Sequence, residues 1–155
     1  MLSYPHMKSL FQTEDREALL ARIAALDPER AREWGKMNPA QMLCHCSRAL
    51  ETATGDRPMK QKLIGKILAP LVKSSILGEK PFGKNSPTDP TFVVADARDF
   101  AAERARLTEL IGRFTARGED EAGKAMHAFF GNLTGRQWGE LMYKHIDHHL
   151  RQFGA

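Results

Sequence analysis

The chain has 155 residues, of which 42% are hydrophobic and 27% charged. That length suits one domain spanning residues 1–155, with a core that buries roughly 70% of the unfolded surface, and the composition excludes the disordered and fibrous classes. The 23 basic and 19 acidic residues give a formal charge of +4; spread along the chain, they describe a mixed, solvated surface, so neither nucleic acid nor a membrane is an expected partner.

Met1-Leu2-Ser3-Tyr4-Pro5-His6 has no apolar run behind a basic start, and no stretch approaches the ~20 apolar residues that span a bilayer, so the expected address is cytoplasmic. Thr13-Glu14-Asp15 opens a first amphipathic helix with Leu19, Leu20, Ile23 and Leu26 on one face. Trp34-Gly35-Lys36 breaks the pattern. Asn38-Pro39-Ala40-Gln41 then supplies a capping side chain, a proline preset for the first turn and a glutamine at the third helical position, so a second helix starts there and runs to about Thr54-Gly55. Its Cys44 and Cys46 are two apart and point in different directions on a helix, so reduced thiols are expected.

Leu63, Ile64, Ile67, Leu68, Leu71 and Val72 recur at helical spacing in a third helix that Pro70 should kink or shorten. Lys60, Lys62, Lys66 and Lys73 frame it. A basic amphipathic helix can lie on a membrane surface, but the same lysines would solvate the outer face of a bundle helix, and that reading is preferred. From Gly78 to Asp96, prolines and glycines exclude helix over most of a long crossover, with Phe92-Val93-Val94 briefly extended. A further helix resumes at Asp99, carries Phe100, Leu107, Leu110, Ile111 and Phe114, and stops at Arg117-Gly118. A loop containing His127 to Leu133 follows, and Thr134 with Gln137 caps a last helix that reaches nearly to Ala155. With no repeat and no sustained strand alternation, the expected fold class is all-α, four or five helices packed on one another.

Four of the six histidines, His127, His145, His148 and His149, lie in the last fifth of the chain. Trp138, Leu141, Met142, His145, His149 and Gln152 follow spacings of three or four, so His145 and His149 continue the stripe that faces the core, whereas His148 turns to another face. Met42, His45 and Ala49 share an inward stripe on the second helix. A lone histidine on such a stripe is usually a hydrogen-bonded core residue, and one H-x-x-x-H pair is common by chance. Three inward imidazoles without carboxylate partners are costly to bury, however, and a divalent metal ion on His45, His145 and His149 would remove that cost.

Trp34-Gly35-Lys36-Met37-Asn38-Pro39-Ala40-Gln41-Met42-Leu43-Cys44-His45, taken with His145-Ile146-Asp147-His148-His149-Leu150-Arg151-Gln152-Phe153, resembles the DinB-like superfamily, and more narrowly a branch of it with no assigned function. The resemblance implies an up-down-down-up four-helix bundle with a long crossover. It also implies a zinc or nickel-type ion on three histidines, matched here by His45, His145 and His149, with His148 as the adjacent non-ligand. The segment from His127 to Gly131 resembles a histidine-phenylalanine-glycine loop of the same branch, with Ala128 where a proline often stands.

Three nitrogen ligands leave a coordination position open, as in catalytic rather than closed structural sites. The resemblance implies a metal-dependent enzyme, a thiol-dependent S-transferase or a hydrolase, acting on a small molecule or a low-molecular-weight thiol. The alternative is a non-catalytic metal-binding module with a structural or interaction role, and bundles of this kind often pair as homodimers. No catalytic residue is assigned. Asp147 and Glu140 lie off the ligand stripe and are expected at the solvated surface, Cys46 is expected to pack rather than to ligate, and Trp34 and Trp138 are read as structural. No helix-turn-helix or basic-aromatic pattern supports DNA binding.

Overall fold

Reciprocal caps set where two of the helices begin. Asn38 Oδ1 accepts from the Gln41 amide at 2.9 Å while Gln41 Oε1 accepts from the Asn38 amide at 2.9 Å, and Thr134 and Gln137 exchange the same pair of bonds at 3.1 and 3.0 Å. Each box satisfies two backbone donors that a helix N-terminus otherwise leaves unpaired. In the computed structural model, which describes residues 6–155, these boxes open helices α2 (Pro39–Thr54) and α5 (Gly135–Arg151). The other helices are α1 (Thr13–Ala25), α3 (Leu63–Leu77) and α4 (Phe100–Ala122). The reading of Met1 to Pro5 lies outside the described residues.

The described residues are mostly helical, as expected, and among them are five α-helices and one small antiparallel sheet. Helices α1, α2, α4 and α5 supply nearly all of the core, in which Leu19, Ile23, Leu43, Leu50, Leu107, Ile111, Trp138 and Ile146 are buried together. Helix α2 packs mainly along α4, and α5 closes against both. Arg22 on α1 reaches Asp147 on α5 at 2.6 Å, and Arg151 meets the same carboxylate at 2.9 Å. Asp147 therefore ties two helices together instead of standing free at the surface, and Glu140 is likewise held by Arg136 at 2.9 Å.

Three local departures from the sequence expectations have physical causes. Gly118 does break the helical path of α4, at φ 82° and ψ 171°, but helical turns resume beyond it to Ala122. The segment expected as a loop around His127 is a two-residue hairpin, β1 (Met126–His127) paired with β2 (Gly131–Asn132). Strands this short carry no alternation in sequence. Phe92 closes a 3-10 turn, Pro90–Phe92, capped by Asp89, whose side chain accepts from the Thr91 amide at 2.9 Å.

The largest departure concerns α3. It is one continuous helix through Pro70, but the face it buries is the small-residue side, Gly65 and Ala69. Leu63, Ile64, Ile67, Leu68 and Leu71, which the spacing places inward, stand exposed. The reason is close contact: a Cβ on Gly65 would lie 2.3 Å from the Phe129 carbonyl oxygen, so the hairpin backbone occupies the room a larger side chain would need. Lys144 on α5 fastens the other end, donating to the Ile76 and Gly78 carbonyls at 2.6 and 2.9 Å.

Gly65→Ala is expected to loosen α3 selectively, lowering the protection of its amides against hydrogen exchange by about 1–3 kcal/mol while α2 and α5 keep theirs. Equal loss in all helices would place α3 inside the main cooperative unit.

Candidate metal centre

Helix α2 presents His45 and α5 presents His145 and His149 to the same point between them. One ring nitrogen from each histidine lies within 4.8 Å of the other two, and His45 Nε2 is 3.0 Å from His145 Nε2. Ring centroids in the trio are 4.5 to 4.9 Å apart. Two nitrogens bound to one ion at ~2.0–2.1 Å stand about 3–3.4 Å apart, so the pair His45 and His145 is already at ligand spacing. His45 is buried, whereas His145 and His149 keep part of their surface open.

Hydrogen bonds to flanking groups determine which nitrogen of two of the rings is free. His45 Nδ1 lies 2.9 Å from the Phe92 carbonyl oxygen. A carbonyl only accepts, so Nδ1 carries the proton and Nε2 directs a lone pair into the cluster. Gln152 Nε2 donates to the Trp34 carbonyl at 2.7 Å, which leaves Oε1 to accept from His149 Nδ1 at 3.0 Å. His149 Nε2 is thus a second lone pair. Such outer partners hold ligand rings at their working angle.

His145 has no such partner: its Nδ1 is buried without a hydrogen bond. Without an ion, His145 Nε2 must donate its proton to the lone pair of His45 Nε2, which strands Nδ1 as a buried acceptor. The proton on Nδ1 instead would bring two lone pairs together at 3.0 Å, an arrangement that a cation between them converts from repulsive to attractive. The donor set therefore fits a divalent ion.

Burial and mutual repulsion keep these rings neutral. His45 is lowered from its ordinary value by desolvation, His145 well below it by desolvation and by the adjacent His149 and His45, and His149 is pushed down to about 3 by desolvation and then by His45. Neutral imidazole is the ligating form.

Connecting segments take part in both outer contacts: the crossover supplies Phe92, and the loop before α2 anchors Gln152, the C-cap of α5, through the Trp34 carbonyl. The loop before α2 lies against the end of α5, where Glu33 N donates to the Gln152 carbonyl at 2.7 Å and Arg30 Nε to the Phe153 carbonyl at 2.9 Å. Gly35 in this loop has φ +83°, and a Cβ there would sit 2.3 Å from Gln152 Nε2. The crossover is laid along α2 by His45 on Phe92, Arg48 on the Val93 carbonyl at 2.9 Å and Gln41 on the Asp96 carbonyl at 3.0 Å. Backbone carbonyls leave no mark in a sequence pattern, so neither Phe92 nor Trp34 was identifiable as an orienting group, although Gln152 already stood on the stripe.

The remaining candidates separate cleanly. His148 does not join the trio; its ring is flanked by Trp34 at 5.6 Å and Phe82 at 5.7 Å, beside His149 at 5.1 Å. Lys84 lies 4.7 Å over the Trp34 ring and Lys144 4.5 Å over Phe82, so this side of the cluster is an aromatic and basic wall. Cys44 and Cys46 are free, buried thiols outside the trio, both raised by burial. Cys46 packs against the Met42 sulfur at 3.8 Å.

His127 holds the hairpin. Its Nδ1 accepts from the Phe129 and Phe130 amides at 3.0 and 3.1 Å, and its ring packs on Phe130 and Trp138. Burial pushes it down to about 4 from an ordinary 6.5. The unfolded chain protonates first as pH falls below 6.5, so the stability His127 contributes is full above that value and is lost as pH approaches about 4.

His127→Leu should therefore cost about 2–3 kcal/mol near neutral pH, by leaving two amides unpaired. Its deficit relative to the wild type should shrink as pH drops toward 4, when urea midpoints are compared with both proteins in chelator; a deficit independent of pH would remove the hydrogen-bonding role. Gln152→Leu should keep the fold by circular dichroism yet weaken metal binding by about 10–100-fold, because His149 loses its fixed orientation. Unchanged affinity would show that packing alone positions that ring.

No curated protein and no solved structure matches the chain. Residues 6–155 match the family described as "Protein of unknown function (DUF1569)". That match covers the three clustered histidines and every helix described above, and the chain belongs to this family.

Proposed function

We propose that the chain binds one divalent metal ion on His45, His145 and His149 and uses it for chemistry on a small molecule, of the thiol-dependent transfer or hydrolytic type. The observation that carries this reading is the convergence of three neutral imidazoles, two of them with tautomers fixed so that their lone pairs point inward. Zinc and nickel suit an all-imidazole set. Bound there, an ion offers at least one further position, where it acidifies a water or a thiol.

The protein's own residues divide the remaining work. His45 and His149 keep their lone pairs inward through the Phe92 carbonyl and Gln152. Trp34, Phe82 and His148 wall one side, and Lys84 and Lys144 add positive charge beside it, which favours an anionic substrate group such as a thiolate or a carboxylate. The cluster contains no carboxylate of its own, so a proton leaving the substrate passes to solvent or to the half-buried His148. The sharing of one core by α1, α2, α4 and α5, with ligands on the second and last helices of the chain, supports a four-helix bundle of DinB-like type.

Protein purified without a metal-affinity tag should contain about one ion per chain, lost in His145→Ala and His149→Ala while circular dichroism stays helical. With cobalt in the site, adding a low-molecular-weight thiol should change the visible spectrum as sulfur becomes a ligand. Absence of metal even after incubation with zinc or nickel would sink the proposal. A saturated ion that ignores thiols and anions, and whose removal unfolds the chain, would indicate a structural role instead.

A further inference from the structure

Helix α3 turns its apolar side away from the protein. Leu63, Ile64, Ile67, Leu68 and Leu71 are 73, 55, 61, 39 and 76% exposed, and at ~100° per residue they fall within an arc of about 140°. From Leu63 to Leu71 that arc holds only apolar residues, with Ser74 and Ser75 continuing it beyond, and such a face is unusual on a protein surface that has no partner. The face is presented rather than loosely held, because Gly65 and Ala69 are buried on the other side and Lys144 caps the helix end.

Charge identifies the occupant. Between Asp56 and Glu79 the sequence contains Arg57, Lys60, Lys62, Lys66 and Lys73 and no acidic residue at all. Lys62 is taken up by Asp89 and Lys73 donates to the Asn132 carbonyl at 3.4 Å, whereas Lys60 and Lys66 are exposed. A second copy of this helix would bring lysines toward lysines with no carboxylate between Asp56 and Glu79 to receive them. A surface of fixed negative charge over hydrocarbon complements both features. The nine residues from Leu63 to Leu71, at ~1.5 Å each, offer an apolar face about 13 Å long to such a surface. Among the described residues no helix is long and apolar enough to cross a membrane.

We propose that α3 docks the protein on a bilayer containing anionic phospholipid, seating Leu63, Ile64, Ile67, Leu68 and Leu71 at the acyl boundary with Lys60 and Lys66 among the headgroup phosphates. From the sequence alone these lysines are read as solvating the outer face of a bundle helix, a reading that needs the leucines inward. Their exposure removes that argument. This docking is independent of the metal centre.

The test is co-sedimentation of the full chain with vesicles of phosphatidylcholine, with and without phosphatidylglycerol, alongside sedimentation velocity in the absence of lipid. Binding is expected on the phosphatidylglycerol vesicles, weakening as ionic strength rises. The double variant Ile67→Glu with Leu71→Glu should lose it, and Lys60→Glu with Lys66→Glu should weaken it by at least about tenfold. All four positions are exposed, and circular dichroism of each variant checks that it folds. No sedimentation with either vesicle, or equal sedimentation with both, overturns the proposal. So does a dimer in lipid-free solution that Ile67→Glu with Leu71→Glu dissociates while wild type ignores vesicles, which would assign the face to a second copy.

Discussion

Burying three imidazoles side by side is the constraint around which this molecule is arranged. Protonated rings would repel one another in a poorly solvated space, and neutral rings that present lone pairs to one another are strained in a different way. The chain meets the first difficulty by holding His45, His145 and His149 neutral. The second persists at His145, whose Nδ1 has no partner while its Nε2 faces that of His45. An arrangement that a cation would relieve, built where a leucine layer would be more stable, argues for function over packing.

Helices supply the three histidines, but connecting segments help to fix how their rings are turned. A stripe of histidines on α2 and α5 would by itself allow either tautomer and several ring angles. The Phe92 carbonyl, carried by the crossover, and Gln152, anchored on the Trp34 carbonyl, select one arrangement for two of the rings. Gly35 belongs to the same system, since its backbone conformation and its contact with Gln152 both exclude a side chain. Neither the long crossover nor the loop before α2 is a passive link.

Where side chains act through periodicity or capping, the sequence was readable. The boxes Asn38/Gln41 and Thr134/Gln137 are local, obey a fixed three-residue spacing and place α2 and α5 correctly. The inward positions of His45, His145 and His149 follow from the apolar stripes they continue. The same periodicity misled at α3, because a helical wheel identifies an apolar face without saying whether anything covers it. There Gly65 and the hairpin backbone decide, and contact between a glycine and a distant carbonyl has no sequence signature. The hairpin itself and the role of His127 were equally hidden, since two-residue strands carry no pattern and the ring bonds to backbone amides.

His45 and His145 are 100 residues apart along the chain. During synthesis, therefore, the first ligand waits through α3, the crossover, α4 and the hairpin before the other two exist. Contacts of such long range close late, after the entropy of the intervening loops has been overcome. Until α5 docks, a growing chain offers a passing ion a single imidazole, too little to retain it against the cell's other ligands. Loading of the proposed site would thus be coupled to the docking of α5 on α2, and metal capture would report that these two helices have met.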